Sequence, residues 1–376
     1  MSGNTKKNWT DHNAKHKEKR KILMEEKLEK KSKKSSENDV EISNDSEVKS
    51  KDIKKNCIST LSIAVPGSIL DNAQSPELRT YVAGQIARAA CIYKVDEIIV
   101  FDDKGDAAHE KLKEKLTTNE ESKSCLQLAR ILQYLECPQY LRKYFFPLHK
   151  DLQFAGLLNP LDAPHHLRQQ DISLFREGVV KNKPLKVGKG SQVNVGLLND
   201  VYVDKVLTPG IRVTVRLSQE DVNLKKLNGV VVSPNVPRLE TGTYWGYSVR
   251  LANCVSEIFT KCPYATGYDL SIGTSDKGSN IDDVSNMSLK YFHSLIVFGG
   301  LSGLESAIEQ DPVLDTQDPT LVFNKYFNTC PEQASRVIRT EEAILISLAE
   351  LRHKLSPIHQ PVKNQQFMDT DFVNNS

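Results

Sequence analysis

Three short stretches place glycine and small polar residues directly after apolar runs: Ile272-Gly273-Thr274-Ser275, Phe298-Gly299-Gly300-Leu301 and Asn328-Thr329-Cys330-Pro331. If each run is a strand of one parallel sheet, all three loops gather beyond its carboxyl edge, where such sheets bind ligands. Glycine there lets a ligand approach the backbone, whose N–H and C=O groups can read an adenine or ribose edge. The third loop continues through Arg336 and Arg339 into Thr340-Glu341-Glu342 and an apolar helix, 340–351. Arg336 and Arg339 read as surface ion pairs or a loop anchor, and the guanidinium fork can also pair two ligand oxygens at once. Glu341 and Glu342 suit the positive end of a helix.

Asp71, Asn72 and Arg79 form a second polar group, between a first strand and a first helix. Capping and loop hydrogen bonds are one reading of these three, and contact with a ligand is the other. Cys330 has no neighbouring His or Lys to lower its pKa, so a small buried residue is expected there rather than a nucleophile. His165 and His166 are adjacent and should point differently, with no third ligand in evidence, so no metal is expected.

The elements that position these groups follow an α/β pattern. Residues 57–67 read as a strand stopped by Pro66-Gly67. Ser75-Pro76-Glu77 then reads as a helix start, with Leu78, Val82, Ile86 and Ala89 on its apolar face. Residues 96–103 supply the next strand, which completes a strand–helix–strand unit. The segment CLQLARILQYLEC reads as a second amphipathic helix ending at Pro138. From about 172 the character changes to short alternating strands: FREGVVKNKP, SQVNVGLLNDVYVDKVL, GIRVTVRLSQ, LNGVVVSP and TYWGYSVRLAN. Five such strands suit a small barrel of the OB type inserted into the α/β pattern. Tyr202, Tyr244, Trp245 and Tyr247, with Lys205, Arg212, Arg216 and Arg250, are the aromatic and basic residue types that stack bases and follow phosphates. Strand alternation puts one aromatic pair in the core.

Composition narrows the class. Of 376 residues, 39% are hydrophobic, so a sizeable core is possible. The net charge of +2 hides an asymmetry, because residues 1–56 carry 16 Lys/Arg against 11 Asp/Glu. That tail is too polar to fold alone and reads as a solvated extension, an RNA tether or a nuclear address. No run of 18 apolar residues suggests a membrane span, and no apolar leader segment opens the chain. The seven scattered cysteines form no CxxC pair, as expected for reduced thiols. The GxGxxG dinucleotide fingerprint, the P-loop, HExxH and GxSxG are all absent.

The segments PGSILDNAQSPELRTYVAGQIARAACIYKVDEIIVFDD, LQLARILQYLECPQYLRKYFFP, DLQFAGLLNPLDAPHH, YWGYSVRLA, YDLSIGTS, VFGGLSGLE and NTCPEQASRVIRTEEAILISLA closely resemble the eukaryotic SPOUT domain-containing methyltransferases, a branch also described as centromere-associated. The resemblance runs from about 58 to 351. It implies an α/β fold with a trefoil knot, an inserted OB-like barrel and a homodimer. It also implies an S-adenosylmethionine-dependent RNA methyltransferase, with base methylation at uridine N3 of ribosomal RNA the expected activity. The alternative is a non-catalytic, RNA-binding scaffold at the spindle or centromere.

By position, the cofactor would contact Thr274, Ser275, Lys277, Gly299, Gly300, Leu301, Asn328 and Thr329. The family places arginine where Lys277 stands, so the charge is kept and the planar fork lost. Arg336, Arg79 and Asn72 are the catalytic candidates, and Arg212, Arg216, Tyr244, Tyr247 and Arg250 the RNA-binding ones. The expected organisation is a tail (1–56), a first SPOUT part (57–171), the barrel (172–255), a second SPOUT part with the knot (256–355) and a short end segment (356–376). Expected partners are RNA, a second copy and spindle or kinetochore proteins, with no membrane. The expected location is the nucleus or nucleolus, and the centromere and spindle during division.

Overall fold

The computed structural model describes residues 58–104, 123–183, 190–218 and 227–359. Readings of the tail and of the end segment beyond 359 lie outside these residues. In chain order the strands are β1 (Thr60–Pro66), β2 (Glu97–Phe101), β3 (Phe175–Val180), β4 (Gln192–Asn194), β5 (Val201–Val203), β6 (Arg212–Leu217), β7 (Leu227–Val232), β8 (Ser248–Ala252), β9 (Leu270–Asn280), β10 (Leu289–Tyr291), β11 (His293–Val297), β12 (Lys325–Asn328) and β13 (Leu355–Pro357). The helices are α1 (Pro76–Ile92), α2 (Lys123–Glu136), α3 (Gln139–Phe145), α4 (Val236–Thr241), α5 (Val255–Thr260), α6 (Gly303–Glu309), α7 (Pro319–Val322) and α8 (Thr340–Lys354).

A six-stranded sheet runs β12-β9-β11-β1-β2-β8. Every pairing in it is parallel, so all carboxyl ends lie on one edge. Helices cover both faces, which is why its strands read as nearly continuous apolar runs. Ile63, Val65, Ile98 and Val100 pack with α1, α2 and α8. Ala64, Ile99, Phe101 and Leu295 pack on the other face with α5 and α6. Each fully buried Ile or Val stabilises the fold by about 1.5–3 kcal/mol relative to exposure.

Helix α1 starts as its residues dictate: the Ser75 side chain accepts from the Leu78 N–H, with Pro76 at the first position. Of the expected face, Ile86 and Ala89 are buried and Val82 packs against the core, but the buried face is broader and Leu78 lies outside it. Thr80, Ala83, Ile86, Ala87 and Ala90 are buried, whereas Leu78 is half-exposed.

A closed barrel runs β3-β4-β5-β7-β6. Its pairings are antiparallel except β5 with β7, which is parallel. Val180, Val193, Val195, Val201, Val203 and Val215 fill it. The strand count matches the sequence reading, but the membership does not. The segment 191–207 makes two strands, β4 and β5, and Ser248–Ala252 leaves the barrel to pair with β2 at the sheet edge.

Candidate functional site

The carboxyl ends of β9, β11 and β12 enclose a cavity of about 310 Å³. This lies at the lower end of ordinary ligand pockets, about 300–1,000 Å³. All eight positions singled out in the three loops line it: Thr274, Ser275, Lys277, Gly299, Gly300, Leu301, Asn328 and Thr329. Arg336 lines it too and is exposed.

The first loop is not a loop that follows a strand. β9 continues to Asn280, and β12 pairs with it on either side of an excursion: Tyr326 faces Gly273, yet Phe327 faces Ser279. Residues 274–278 bow out of register between those partners, which turns Thr274, Ser275 and Lys277 toward the cavity. A periodicity reading cannot foresee this, since the shift is set by the partner strand.

Hydrogen bonds between the loops hold the cavity's shape. Thr274 Oγ1 donates to Val297 O at 3.1 Å, and Asn328 Nδ2 to Asp276 O at 3.1 Å. Thr340 Oγ1, at the start of α8, donates to Gly299 O at 2.9 Å. The Thr329 and Ser347 hydroxyls lie 2.6 Å apart. The Arg339 N–H donates to Glu342 Oε2 at 3.1 Å, which caps α8. A Cβ on Gly299 would fall 2.8 Å from the Leu304 N atom, so only glycine lets the second loop lie this close to α6. Lys277 Nζ meets Glu305 Oε1 at 3.1 Å, and Tyr326 donates to the same oxygen at 2.9 Å. Burial pushes the Glu305 carboxyl up, but its own backbone N–H together with Lys277 and Tyr326 outweighs this and holds its pKa below the ordinary value. The Cys330 N–H donates to Asn328 Oδ1 at 3.0 Å, which tightens the third loop.

The other two catalytic candidates do not join Arg336. Asn72 lines an adjoining cleft of about 320 Å³, at the ends of β1 and β2, whose wall includes Leu301, Ser302 and Gly303. Arg79 sits on α1 with a buried Nε that makes no hydrogen bond. The sequence reading missed Asp103 and Ser68 in that cleft, and Thr340 and Ser347 in the main cavity. The signal for Asp103 was available, because an acidic pair directly follows the apolar run of β2.

Burial and pairing take Tyr244, Tyr247, Arg212 and Arg250 out of the expected base-stacking and phosphate-tracking set, while Arg216 stays at the surface. Tyr244 and Tyr247 are each 6% exposed. Their hydroxyls donate to Val95 O at 2.7 Å and Leu132 O at 2.9 Å, so neither ring face is offered to a base. Arg212 binds Glu136 at 2.6 Å and Glu177 at 2.7 Å, joining α2 to the barrel. Arg250 binds Glu97 at 2.8 Å inside the sheet, and Arg216 pairs with Glu240. His165 and His166 do not diverge: both Nε2 atoms meet Glu136 O, at 2.9 and 2.7 Å. No helix among the described residues is long and apolar enough to cross a membrane.

A sequence model of the family described as "Putative RNA methyltransferase" matches residues 60–351. The chain is 61% identical over 306 residues to a Drosophila melanogaster protein named "28S rRNA (uridine-N(3))-methyltransferase", covering 80% of this chain and 63% of that one. Proteins of the same name from Mus musculus and Homo sapiens are 58% and 59% identical, over 80% and 78% of this chain and 77% and 78% of their own lengths.

Proposed function

The chain belongs to the RNA methyltransferase family whose model spans residues 60–351, and from that premise we propose that it methylates N3 of a uridine in large-subunit ribosomal RNA, with S-adenosylmethionine as methyl donor. The observation that carries this reading is the cavity at the carboxyl ends of β9, β11 and β12, lined by all eight expected cofactor positions. Its makeup fits a nucleoside with a charged tail. Gly299 and Gly300 open the backbone to close approach, Asn328 and Thr329 offer polar atoms, and Arg336 and Lys277 bring positive charge to the rim. When bound, S-adenosylmethionine supplies an electrophilic methyl on a sulfonium.

The chain's own residues hold and orient. The three loops are fixed to one another before any ligand arrives, so little ordering cost falls on binding. Alignment of the target nitrogen with the methyl then supplies most of the rate. Arg336, at the exposed rim, is our candidate for phosphate or base contact.

The same reading extends to the fold. We read the C-terminal segment as the threaded part of a trefoil knot, with α8 and the 329–339 loop closing over the cavity. The barrel's order, in which its third and fifth strands pair in parallel, supports an OB-fold. A groove between α1 and α8 lined by Tyr81, Gln85, Arg88, Ile92, Leu158 and Leu345 is apolar and open; we assign it to the homodimer. A nuclear or nucleolar location and spindle or centromere partners belong to the proposal through the resemblance alone.

The test is direct. Purified protein and S-adenosylmethionine are incubated with 28S rRNA from cells lacking the protein, and the digested nucleosides are read by mass spectrometry. The reading requires 3-methyluridine to appear. Appearance of a different mark, or of none, contradicts it.

A further inference from the structure

Beside the cofactor cavity, the ends of β1 and β2 form the cleft that holds Ser68, Asn72, Asp103, Lys104 and Gln310. The two spaces share a wall, Leu301–Gly303. Asp103 stands at that wall: a Cβ on Gly300 would fall 2.7 Å from Asp103 Oδ2 and 3.1 Å from Ser68 Oγ. The cofactor loop therefore passes directly over this carboxyl group. β1 and β11 are adjacent in the sheet although β2 and β8 follow β1 in sequence. The cleft thus opens where the strand order reverses, the usual place for ligands in such sheets.

From this geometry we infer that the cleft receives the uracil ring and that Asp103 accepts the N3 proton from it. The inference rests on the methyltransferase reading above and names the group that reads the base. Uracil presents one donor, N3–H, between two acceptors, O2 and O4. The cleft presents the complement: a carboxylate acceptor with donors from Asn72, Lys104 and Gln310 lining the same space. Cytosine has no N3 hydrogen and would set an acceptor against the carboxylate, an unpaired arrangement that a site built for a donor rejects.

The side chain is held for this task. Asp103 Oδ2 accepts from Ser68 Oγ at 2.5 Å, and Oδ1 from the Ser68 N–H at 3.3 Å. A carboxylate has about four acceptor positions, so both oxygens retain capacity. Burial raises the Asp103 pKa, with Ser68 opposing and Asp102 adding to the rise. Across the cleft, Asp71 is neutralised by Lys104 at 2.6 Å. A carboxylate with a raised pKa is a stronger base. In the step, the N3–H bond breaks and the proton passes to Asp103. The N3 electron pair forms the new N–CH3 bond as the S–CH3 bond breaks, leaving neutral S-adenosylhomocysteine and a protonated Asp103.

The test compares wild type, Asp103→Asn and Asn72→Ala in single-turnover methylation of 28S rRNA across a pH series, with S-adenosylmethionine binding measured separately. Asp103→Asn should lose about 100-fold or more in rate, the usual contribution of a general base, while binding the cofactor like wild type. Its remaining rate should climb with pH where wild type has levelled off. Asn72→Ala, an exposed change that tests the cleft if Asp103→Asn misfolds, should raise the KM for RNA without changing cofactor affinity. An Asp103→Asn enzyme with the wild-type rate and pH profile overturns the base role. Unchanged RNA KM in Asn72→Ala overturns the cleft as the uracil site. Absence of 3-methyluridine with wild type overturns the methyltransferase reading itself.

Discussion

The hydroxyl of Thr340 donates to the carbonyl oxygen of Gly299 at 2.9 Å, across 41 residues of chain. It fixes the first turn of α8 to the loop after β11, on the wall of the cavity proposed to hold the cofactor. Thr340→Val keeps the shape and removes the donor. We expect S-adenosylmethionine affinity to fall by about tenfold, ~1.4 kcal/mol, the scale of one lost buried hydrogen bond. Calorimetric titration beside a melting curve separates this from unfolding.

Arg212 holds the barrel to α2 through Glu136 and Glu177. Arg212→Ala leaves two buried carboxylates without their cation. We expect a loss of about 3–5 kcal/mol in stability, seen in urea unfolding. A uniform loss of RNA affinity with unchanged stability would instead restore the phosphate-binding role.

The same network sets an acid response. Burial pushes the Glu136 pKa up, but His165 and Arg212 outweigh it and hold the group at about 2. Burial, aided by the charge of His165, brings His166 down to about 4. Both groups bind protons less readily in the folded state than in the unfolded one, so both favour folding at neutral pH. Stability should fall in two windows as pH drops: from 6.5 to about 4 as the unfolded-state His166 protonates first, then from 4.5 to about 2 through Glu136. Melting temperatures across pH check this, and His166→Gln should flatten the upper window.

Tyr81 and Leu345 both line the open groove between α1 and α8, and both are more than 40% exposed. A Leu345→Glu variant places a charge on that apolar face. We expect it to run as a monomer in light scattering, where wild type runs as a dimer, with its circular dichroism spectrum intact.

Much of the site was legible because small polar residues and glycine directly after apolar runs have few structural uses other than turns and ligand loops. Ile272–Ser275, Phe298–Leu301 and Asn328–Pro331 carry that pattern, and they converge on one cavity. What the pattern cannot encode is the partner of each strand. Ser248–Ala252 alternates like a barrel strand, yet it pairs with β2. The 274–278 excursion depends on where β12 resumes pairing. Tyr244 and Tyr247 read as a stacking surface because burial is a tertiary property. Their hydroxyls reach carbonyls of residues 149 and 115 positions away. Asp103 did carry a signal, the acidic pair directly after β2, but its nearness to Gly300 exists only after β1, β2 and β11 align.

The most direct measurement is a calorimetric titration of the purified protein with S-adenosylmethionine, in parallel with a Gly299→Val variant. The added side chain would strike the Leu304 backbone, 2.8 Å from its first carbon, and close the loop over the cavity. The account predicts saturable binding of one cofactor per chain by wild type, lost in the variant while α/β circular dichroism persists. No binding by folded wild type, or equal binding by both proteins, would contradict it.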